Sequence, residues 1–344
     1  MTTMYVAAGD AVALVSRRNG SWEATLRLEG LPAQCLAADP LWPERVYCGT
    51  FGRGLWRSED AGESWQPVGQ DNGGSIPHAE VMSVAVSRIE RVGRDGMVWA
   101  GTEPSAIFRS DDGGTTWREQ PALRAIPSAP TWSFPPRPWT SHVRCLVADP
   151  VATGRLFAGI EAGGVMRSLD GGETWEDSKP GAQRDAHTLA THPGAPGRIY
   201  EASGGGFTET RDGGATWQRA DDGLDWRYLW GLAADPADPE TLIVSASRSA
   251  RHAHSPGSAE ATLYRRTAGD AWQEARDGLP QPQGTLAYLV AINEAEPHVF
   301  YAAPHQGDLF RSADAGLTWE RLDIRWPNGY RPANVTGLVV VDGV

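Results

Sequence analysis

Short apolar segments alternate with polar turns along the whole chain. One type of segment ends in Asp-Pro, as in Cys35–Pro40, Cys145–Pro150 and Gly231–Pro236. A second type begins with apolar residues and ends in Gly-Thr, as in Val46–Thr50 and Val98–Thr102. Short runs rich in β-branched and aromatic residues, bounded by Asp, Gly and Pro, are typical of antiparallel strands. The pattern therefore predicts an all-β protein.

A repeated box follows the third strand of each predicted unit and leads into the fourth. Its pattern is Ser/Thr-x-Asp-x-Gly-x-Thr/Ser-Trp, and the complete copies are Ser58–Trp65, Ser110–Trp117, Ser168–Trp175, Thr210–Trp217 and Ser312–Trp319. A weaker copy spans Arg265–Trp272, and a shortened one spans Ser16–Trp22. The boxes recur at intervals of about 45 residues, which suits blades of four strands.

The repeats predict a seven-bladed β-propeller of four-stranded antiparallel blades, built as a single domain over residues 1–344. Complete blades are expected at about 33–68, 80–120, 142–178, 185–220, 228–275 and 286–322. The seventh blade would combine a C-terminal strand, 335–342, with three N-terminal strands from 4–28. Joining the two chain ends closes the ring and removes an exposed sheet edge. A solenoid of stacked repeats is the alternative, but the complementary end fragments favour the ring.

The residue types of the box indicate a structural turn. Asp170 can accept hydrogen bonds from backbone N–H groups of its own turn. Gly172 can adopt a positive φ at little cost, and Trp175 can bury a large ring where the outer strand starts. We therefore expect the box carboxylates to stabilise the blades and not to act in catalysis.

The box resembles the Asp-box, or BNR, repeat of sialidase-like and glycosyl-hydrolase-like β-propellers. The resemblance covers the whole chain and implies a bacterial protein with a single propeller. Sialidase activity is not expected, because the N-terminal Arg-Ile-Pro signature of those enzymes is absent and they usually have six blades. Xyloglucan-cleaving relatives pair two propellers around a cleft, whereas one is predicted here. Fold resemblance alone does not assign a reaction.

The amino-acid composition of the chain limits which binding partners and which cellular location are expected. The net charge of −12 argues against nucleic acid as the main partner. No run of about 18 apolar residues is present, and residues 1–15 lack the regions of a signal peptide. The three cysteines form an odd set without a CxxC motif, so we expect reduced thiols and no zinc site. A cytoplasmic protein without a membrane partner is predicted.

Functional side chains are expected on the face opposite the boxes, around the mouth of the central channel. Aligning the blades on the turn that ends each first strand places Arg144, His187, Trp230 and Tyr288 at one repeat position. Two positions earlier come Glu80, His142, Asp185 and Tyr228. Blades two, three and four together supply the set Glu80, His142, Arg144, Asp185 and His187, so these side chains are expected to cluster.

Turns and long loops add further candidates on the same face. The turns between the second and third strands carry Arg53, Glu103, Glu161 and His305. Two connections are unusually long: 247–261, which carries Arg248, Arg251, His252 and His254, and 121–141, which carries Trp132, Phe134 and Trp139. Long loops in a compact fold are commonly functional. The aromatic, proline-rich loop is a candidate lid or sugar-stacking platform.

These residue types suggest specific roles. The candidate catalytic set is His142, His187, Glu80 and Asp185, with the histidines as acid–base groups. The candidate ligand-binding set is Arg144, Glu161, Trp132, Trp139, Tyr228, Trp230, Tyr288, His305 and Arg53, in which Arg144 would hold an anionic group. A carboxylate pair for glycoside hydrolysis could come from Glu80, Glu103, Glu161 and Asp185. His142 and His187 with Glu80, Asp185 or Glu161 could also bind a divalent metal, although no short-range ligand spacing supports it.

Two functional hypotheses remain open from the sequence. In the first, the channel mouth binds or hydrolyses a small polar molecule, such as a carbohydrate. In the second, the propeller is a non-catalytic scaffold or assembly factor that presents its loops to a protein partner. Polar residues at a channel mouth can also be merely hydrated, and no cofactor is identified by the sequence.

Overall fold

The fold follows from the short strands that the sequence predicts. A computed structural model of the chain describes residues 2–70 and 75–342. Its strands form seven sheets, and the first strand of each sheet contacts the first strand of the next, around to the starting point. The structure is a seven-bladed β-propeller, as predicted.

The strands of the first three complete blades carry the labels β4 to β14, after the N-terminal strands β1 (Thr2–Ala8), β2 (Ala11–Arg18) and β3 (Ser21–Arg27). Blade one contains β4 (Ala33–Asp39), β5 (Trp42–Thr50), β6 (Leu55–Ser58) and β7 (Gln66–Val68). Blade two contains β8 (Glu80–Val92), β9 (Asp95–Glu103), β10 (Ile107–Ser110) and β11 (Arg118–Glu119). Blade three contains β12 (Val143–Ala148), β13 (Leu156–Ile160) and β14 (Gly164–Ser168), and an isolated bridge from Arg167 to Glu176 takes the place of its fourth strand.

The next three blades have four strands each. Blade four contains β15 (Ala186–Thr191), β16 (Ile199–Ser203), β17 (Gly206–Thr210) and β18 (Gln218–Arg219). Blade five contains β19 (Tyr228–Asp235), β20 (Asp238–Ser247), β21 (Ala261–Arg266) and β22 (Gln273–Glu274). Blade six contains β23 (Tyr288–Ile292), β24 (Phe300–Pro304), β25 (Phe310–Ser312) and β26 (Glu320–Arg321).

The chain ends share the seventh blade, as the end fragments predict. Strand β28 (Val335–Asp342) pairs antiparallel with β1, which continues into β2 and β3. A short strand, β27 (Ile324–Arg325), runs parallel to β3 and covers the outer edge of this blade. The ring is therefore closed by backbone hydrogen bonds between the first and last strands.

Helices are few and short. The one α-helix, α1, spans Ala250–His254 among the described residues. Turns of 3-10 helix occupy Pro121–Ala125, Ala129–Thr131, Pro256–Ser258 and Pro327–Gly329. No helix in the described part of the chain is both long and apolar enough to cross a membrane.

Each box forms the turn that its residue types predict. Asp170 accepts hydrogen bonds through Oδ1 from the backbone N–H of Thr174, at 2.8 Å, and through Oδ2 from its hydroxyl, at 2.6 Å. The Ser168 hydroxyl accepts from the N–H of Gly172 at 2.8 Å, and Gly172 has a φ of 100°. The Trp175 ring is buried and donates its N–H to the Gly172 carbonyl. The same pattern recurs in the other complete boxes.

The boxes also join neighbouring blades. The Trp99 indole of blade two donates to the carbonyl of Gly171 in the box of blade three, at 3.1 Å. Tyr47 of blade one donates to the carbonyl of Gly113 in the box of blade two, at 2.8 Å. Both rings are fully buried. The hydrogen bonds of the box therefore hold a turn that is itself part of the contact between blades.

Replacing Asp170 with alanine is expected to lower the free energy of unfolding by about 1–2 kcal/mol, because the turn loses charge-assisted hydrogen bonds to its backbone. Leu169 in the same turn is 52% exposed, so Leu169→Ala is a matched control with an expected effect within about 0.5 kcal/mol. Urea denaturation measures both variants. Equal stabilities of the two variants would contradict a structural role for the carboxylate.

Candidate functional site

A cavity of about 610 Å³ opens on the face opposite the boxes, at the mouth of the central channel. Its walls come from the first strands, from the turns after the second strands and from the two long loops. The lining residues are Gln34, Phe51, Met82, Phe134, Pro135, Pro136, Arg137, His142, Arg144, Glu161, Asp185, Tyr228, Trp230, Ala250, His254, His305 and Thr336. The site therefore lies where the topology predicts it.

In six of the seven blades, a β-bulge near the start of the first strand places an unpaired residue near this mouth. In β12, Val143 pairs with Ile160 and Cys145 with Gly159, so Arg144 is the extra residue. Equivalent register shifts in five other blades leave the following residues without a pairing partner on the second strand: Gln34, Met82, His187, Trp230 with Gly231, and Thr336. A bulge re-aims a side chain and often lies beside a functional site. All of these bulges except that of His187 contribute a side chain to the cavity wall.

Blade six lacks the bulge, which explains the position of one predicted residue. Tyr288 pairs in regular register with Pro304, and its side chain is fully buried between blades. The sequence alignment placed Tyr288 with Arg144 and Trp230. A regular register instead turns its ring away from the channel mouth.

The loop 121–141 forms one wall of the cavity. A tight turn, in which the Arg137 N–H donates to the Phe134 carbonyl at 2.8 Å, carries the two prolines of the wall. The Arg137 guanidinium lies 4.6 Å from the Phe134 ring centre and 5.1 Å from that of Phe51. Its Nε and Nη2 donate hydrogen bonds to Glu103 Oε1 and Oε2, at 2.7 and 2.6 Å. This bidentate pair fixes the loop against the turn that follows β9.

The second long connection forms the opposite wall. It folds into α1, which places His254 beside Tyr228 and Trp230. The Tyr228 hydroxyl and His254 Nε2 are 3.2 Å apart, and the His254 and Trp230 rings are 4.3 Å apart. His305 stacks on His254 at 5.5 Å. Burial lowers the pKa of His254 to about 4 and that of His305 to about 3, so both imidazoles are neutral at pH 7.

A chain of charged groups crosses the floor of the cavity. His142 Nε2 lies 2.9 Å from Glu161 Oε2, and its Nδ1 lies 3.2 Å from Glu103 Oε2 without the angle of a hydrogen bond. Burial favours the neutral imidazole, but the two carboxylates outweigh it and raise the pKa of His142. Burial also acts on Glu103, where its close contacts with His142 and Arg137 outweigh it and lower its pKa to about 2. The guanidinium of Arg144 lies over the Trp230 ring at 4.4 Å, with its Nε 3.9 Å from Glu161 Oε2.

A second histidine–carboxylate pair lies next to this chain. His187 is fully buried, with its ring 4.9 Å from that of Tyr228 and 4.7 Å from that of Trp230. Its Nδ1 lies 2.5 Å from the Leu229 carbonyl, and its Nε2 lies 3.4 Å from Asp185 Oδ2. His187 thus stands directly behind the cavity wall that Asp185 and Trp230 form.

Several buried nitrogen atoms of the wall have no hydrogen-bond partner among the described residues. They are Arg144 Nε, Trp230 Nε1 and His305 Nε2, together with His187 Nε2 behind them. An unsatisfied buried polar atom costs about 1–3 kcal/mol. Their concentration around one cavity indicates a site prepared for polar partners from outside the chain.

The structure brings together seven of the predicted residues at the cavity, namely His142, Arg144, Glu161, Asp185, Tyr228, Trp230 and His305. It does not bring the remaining ones to the wall. Trp132 is buried in the core and donates to the Ser128 hydroxyl, so its ring is no stacking platform. Trp139 is 80% exposed, and Arg53 is exposed in its turn. Glu80 is the backbone pairing partner of Glu103 at the end of the β8–β9 ladder.

Sequence reasoning did not single out two contributors to the wall, Phe51 and Arg137. His254 was named only as one of several basic residues in the long connection 247–261. The one usable signal was chemical: Arg137 lies between prolines and aromatic residues in a loop already marked as functional. Its pairing with Glu103 is a tertiary contact that no local spacing encodes.

None of the described carboxylates Glu103, Glu161 and Asp185, at or beside the cavity, has the raised pKa that is usual for the acid of a glycosidase. A general acid needs a carboxyl group whose pKa is raised. Burial alone would raise the pKa values of Glu103, Glu161 and Asp185, but polar and charged neighbours outweigh burial and lower all three. The arrangement offers anion and cation contacts, aromatic faces and neutral imidazoles. These are the means of binding a polar ligand.

Comparisons with known proteins agree with the fold. No protein-family model and no curated protein sequence matches this chain. An ancestral GH74 enzyme is 18% identical with a TM-score of 0.61, and the match covers 90% of this chain and 38% of that one. A GH74 enzyme from Niastella koreensis is 16% identical with a TM-score of 0.64, covering 84% of this chain and 45% of that one. This chain thus spans less than half the length of these enzymes.

A structure from outside the GH74 group gives a similar match. YCF48 bound to a D1 peptide is 17% identical with a TM-score of 0.57, and the match covers 85% of this chain and 81% of that one. At such identities the likeness concerns the fold alone. The chain is a β-propeller of the architecture seen in both groups.

Proposed function

We propose that this propeller binds a small polar molecule of the carbohydrate class in the cavity at the channel mouth. The observation that carries the proposal is the set of unpartnered buried nitrogens on Arg144, Trp230 and His305, all lining one cavity. Sugar hydroxyl or carboxylate oxygens would accept hydrogen bonds from Arg144 Nε and Trp230 Nε1. The volume of about 610 Å³ is in the range of small-molecule sites.

Aromatic faces support the same ligand class. The rings of Phe51, Phe134, Tyr228 and Trp230 line the cavity, and apolar faces beside a few placed polar groups are typical of ligand pockets. The GH74 structures belong to glycoside hydrolases by name, which supports a carbohydrate as ligand without assigning hydrolysis. Five boxes with one hydrogen-bond pattern also support membership of the Asp-box (BNR) group. The cytoplasmic location stays a prediction.

The test is a thermal-shift screen with neutral oligosaccharides, including xyloglucan fragments, and with uronic and sialic acids. We expect at least one sugar to raise the Tm of the wild-type protein. Arg144→Met is expected to weaken binding of that sugar at least tenfold, since it removes the one of the two wall guanidiniums that carries an unpartnered nitrogen, while keeping a long apolar stem. Arg53→Met, an exposed arginine outside the cavity, is the matched control. Retained binding by Arg144→Met would contradict the proposal.

A protein segment is the second candidate occupant of this face. The favouring observation is the indole of Trp139, which is 80% exposed on the loop that walls the cavity. The YCF48 structure is that of a complex with a D1 peptide. A peptide would use the exposed Trp139, whereas a sugar inside the cavity would not. Failure of every sugar in the screen would favour this alternative.

A further inference from the structure

The side chains of Glu161, Asp185 and His187 converge at the wall between blades three and four. One carboxylate oxygen from each acid and one imidazole nitrogen lie within 4.8 Å of one another. Glu161 is 12% exposed, His187 is fully buried, and Asp185 is 40% exposed toward the cavity. The group is therefore held by the fold on one side and accessible on the other.

The tautomer of His187 is fixed by the backbone. Its Nδ1 faces the Leu229 carbonyl at 2.5 Å, and a carbonyl oxygen can only accept, so Nδ1 carries the hydrogen. The neutral ring then presents the lone pair of Nε2 to Asp185 Oδ2, 3.4 Å away, and Nε2 has no hydrogen-bond partner among the described residues. A lone pair that faces carboxylate oxygens is repelled unless a proton or a cation lies between them.

We propose that Glu161, Asp185 and His187 bind a divalent transition-metal ion such as Zn²⁺ at the edge of the cavity. One imidazole and two carboxylates are ligands that such ions accept, and their two negative charges balance the ion. The Nδ1–H bond to a backbone carbonyl is the usual outer contact of a metal-binding histidine. Bond lengths of about 2.0–2.2 Å require ligand atoms about 3–4 Å apart, which small rotations of the half-exposed Asp185 carboxylate supply.

Three protein ligands leave at least one position of the ion open toward the cavity. A hydroxyl or carboxylate oxygen of the ligand would occupy it, so this part of the inference rests on the proposed function and deepens it. Metal binding itself does not depend on any sugar. The two can be tested separately.

The experiment uses the full chain, freed of metal with a chelator and titrated with Zn²⁺ alone by isothermal titration calorimetry. We expect one equivalent of Zn²⁺ to bind, and His187→Ala and Asp185→Asn each to weaken binding at least tenfold. Thermal unfolding shows whether each variant is folded; Asp185→Asn changes a half-exposed group and keeps the test valid if His187→Ala fails to fold. The matched control is His298→Gln, because His298 forms a 2.8 Å pair with Asp235 elsewhere in the chain.

Three results have distinct meanings. The metal site would be overturned if Asp185→Asn bound Zn²⁺ with the affinity of the wild-type protein, or if the wild-type protein showed no one-to-one binding. His187 and Asp185 would then be an ordinary histidine–carboxylate pair. Zinc binding that His298→Gln alone reduces would overturn it as well. Zinc binding without any sugar response would leave the metal site standing and contradict the proposed function only.

Discussion

Replacement of Arg198 by methionine is expected to lower the free energy of unfolding by about 3 kcal/mol. Arg198 is 4% exposed and binds Glu209 of its own blade at 2.9 and 2.7 Å and Glu240 of the next blade at 2.8 Å. Methionine keeps most of the apolar stem but removes the shared cation. The two partly buried carboxylates on neighbouring blades then keep only the longer contacts with Arg211 and Arg266, at 3.4–3.5 Å.

Arg211 offers a matched control for this variant. It contacts the same two carboxylates, at 3.5 Å from Glu209 and 3.4 Å from Glu240, but is 62% exposed. Because water screens such a pair, Arg211→Met is expected to cost less than about 1 kcal/mol. Urea denaturation at pH 7 compares the two. Similar losses in both variants would show that burial is not what makes the Arg198 contact strong.

The blade count and the functional face could be predicted from sequence because the box is local. A turn that satisfies its own backbone through Ser168, Asp170 and Thr174 has the same sequence wherever it forms. Its recurrence counts the blades, and its position on one face identifies the other. The split seventh blade followed because each end of the chain matched a different part of the same unit.

Residues of the candidate site could be predicted from the repeat only where the first strand of a blade has the same bulge as the first strands of its neighbours. Arg144 and Trp230 were placed by alignment with equivalent positions, and both line the cavity. Tyr288 was placed by the same alignment, yet its strand has no bulge and its ring is buried. Whether a bulge forms depends on contacts between blades, which a single strand sequence does not encode.

Loop residues were harder still. The sequence marked 121–141 as a functional loop, and the loop does wall the cavity, but through Phe134 and Arg137 rather than Trp132 and Trp139. The two tryptophans have the same chemistry and opposite environments: one is in the core and the other is 80% exposed. Burial of a loop side chain is decided by how the whole loop packs, and residue type alone cannot decide it.

Glu201 occupies a position where the other six blades have uncharged residues, and this difference predicts an unusual pH dependence. Glu201 pairs with Leu189 across strands β15 and β16, as Ala158 pairs with Leu146 and Ala100 with Val84. The side chain is fully buried. Burial raises its pKa from 4.5 to about 7, although hydrogen bonds from Thr208 and Gln183 act in the opposite direction.

The sign of the effect follows from proton binding in the two states. Below pH 4.5 both the folded and the unfolded protein carry the proton, and Glu201 contributes no pH dependence. Between pH 4.5 and 7 the folded protein keeps a proton that the unfolded chain has lost, so stability falls as pH rises. Each pKa unit is worth about 1.4 kcal/mol, and the loss above pH 7 reaches about 3 kcal/mol.

Glu201→Gln is therefore expected to stabilise the protein by about 3 kcal/mol at pH 8 and to have little effect at pH 4.5. Oε2 accepts the hydrogen bonds from Thr208 and Gln183, so the proton of the neutral acid must lie on Oε1, which has no partner among the described residues. A glutamine side chain in the same orientation accepts both of these hydrogen bonds through its carbonyl oxygen. Its NH₂ group lies where the neutral acid has its hydroxyl. Glutamine resembles the neutral acid in shape and cannot ionise.

Urea denaturation of Glu201→Gln and the wild-type protein from pH 4.5 to 8.5 measures this difference directly. Glu320→Gln, at a carboxylate that is 68% exposed, is the control and should show no such growth of the difference with pH. A constant difference across the range would mean that Glu201 is ionised in the folded protein throughout. In that case a cation or solvent must reach a carboxylate that the fold places between two blades.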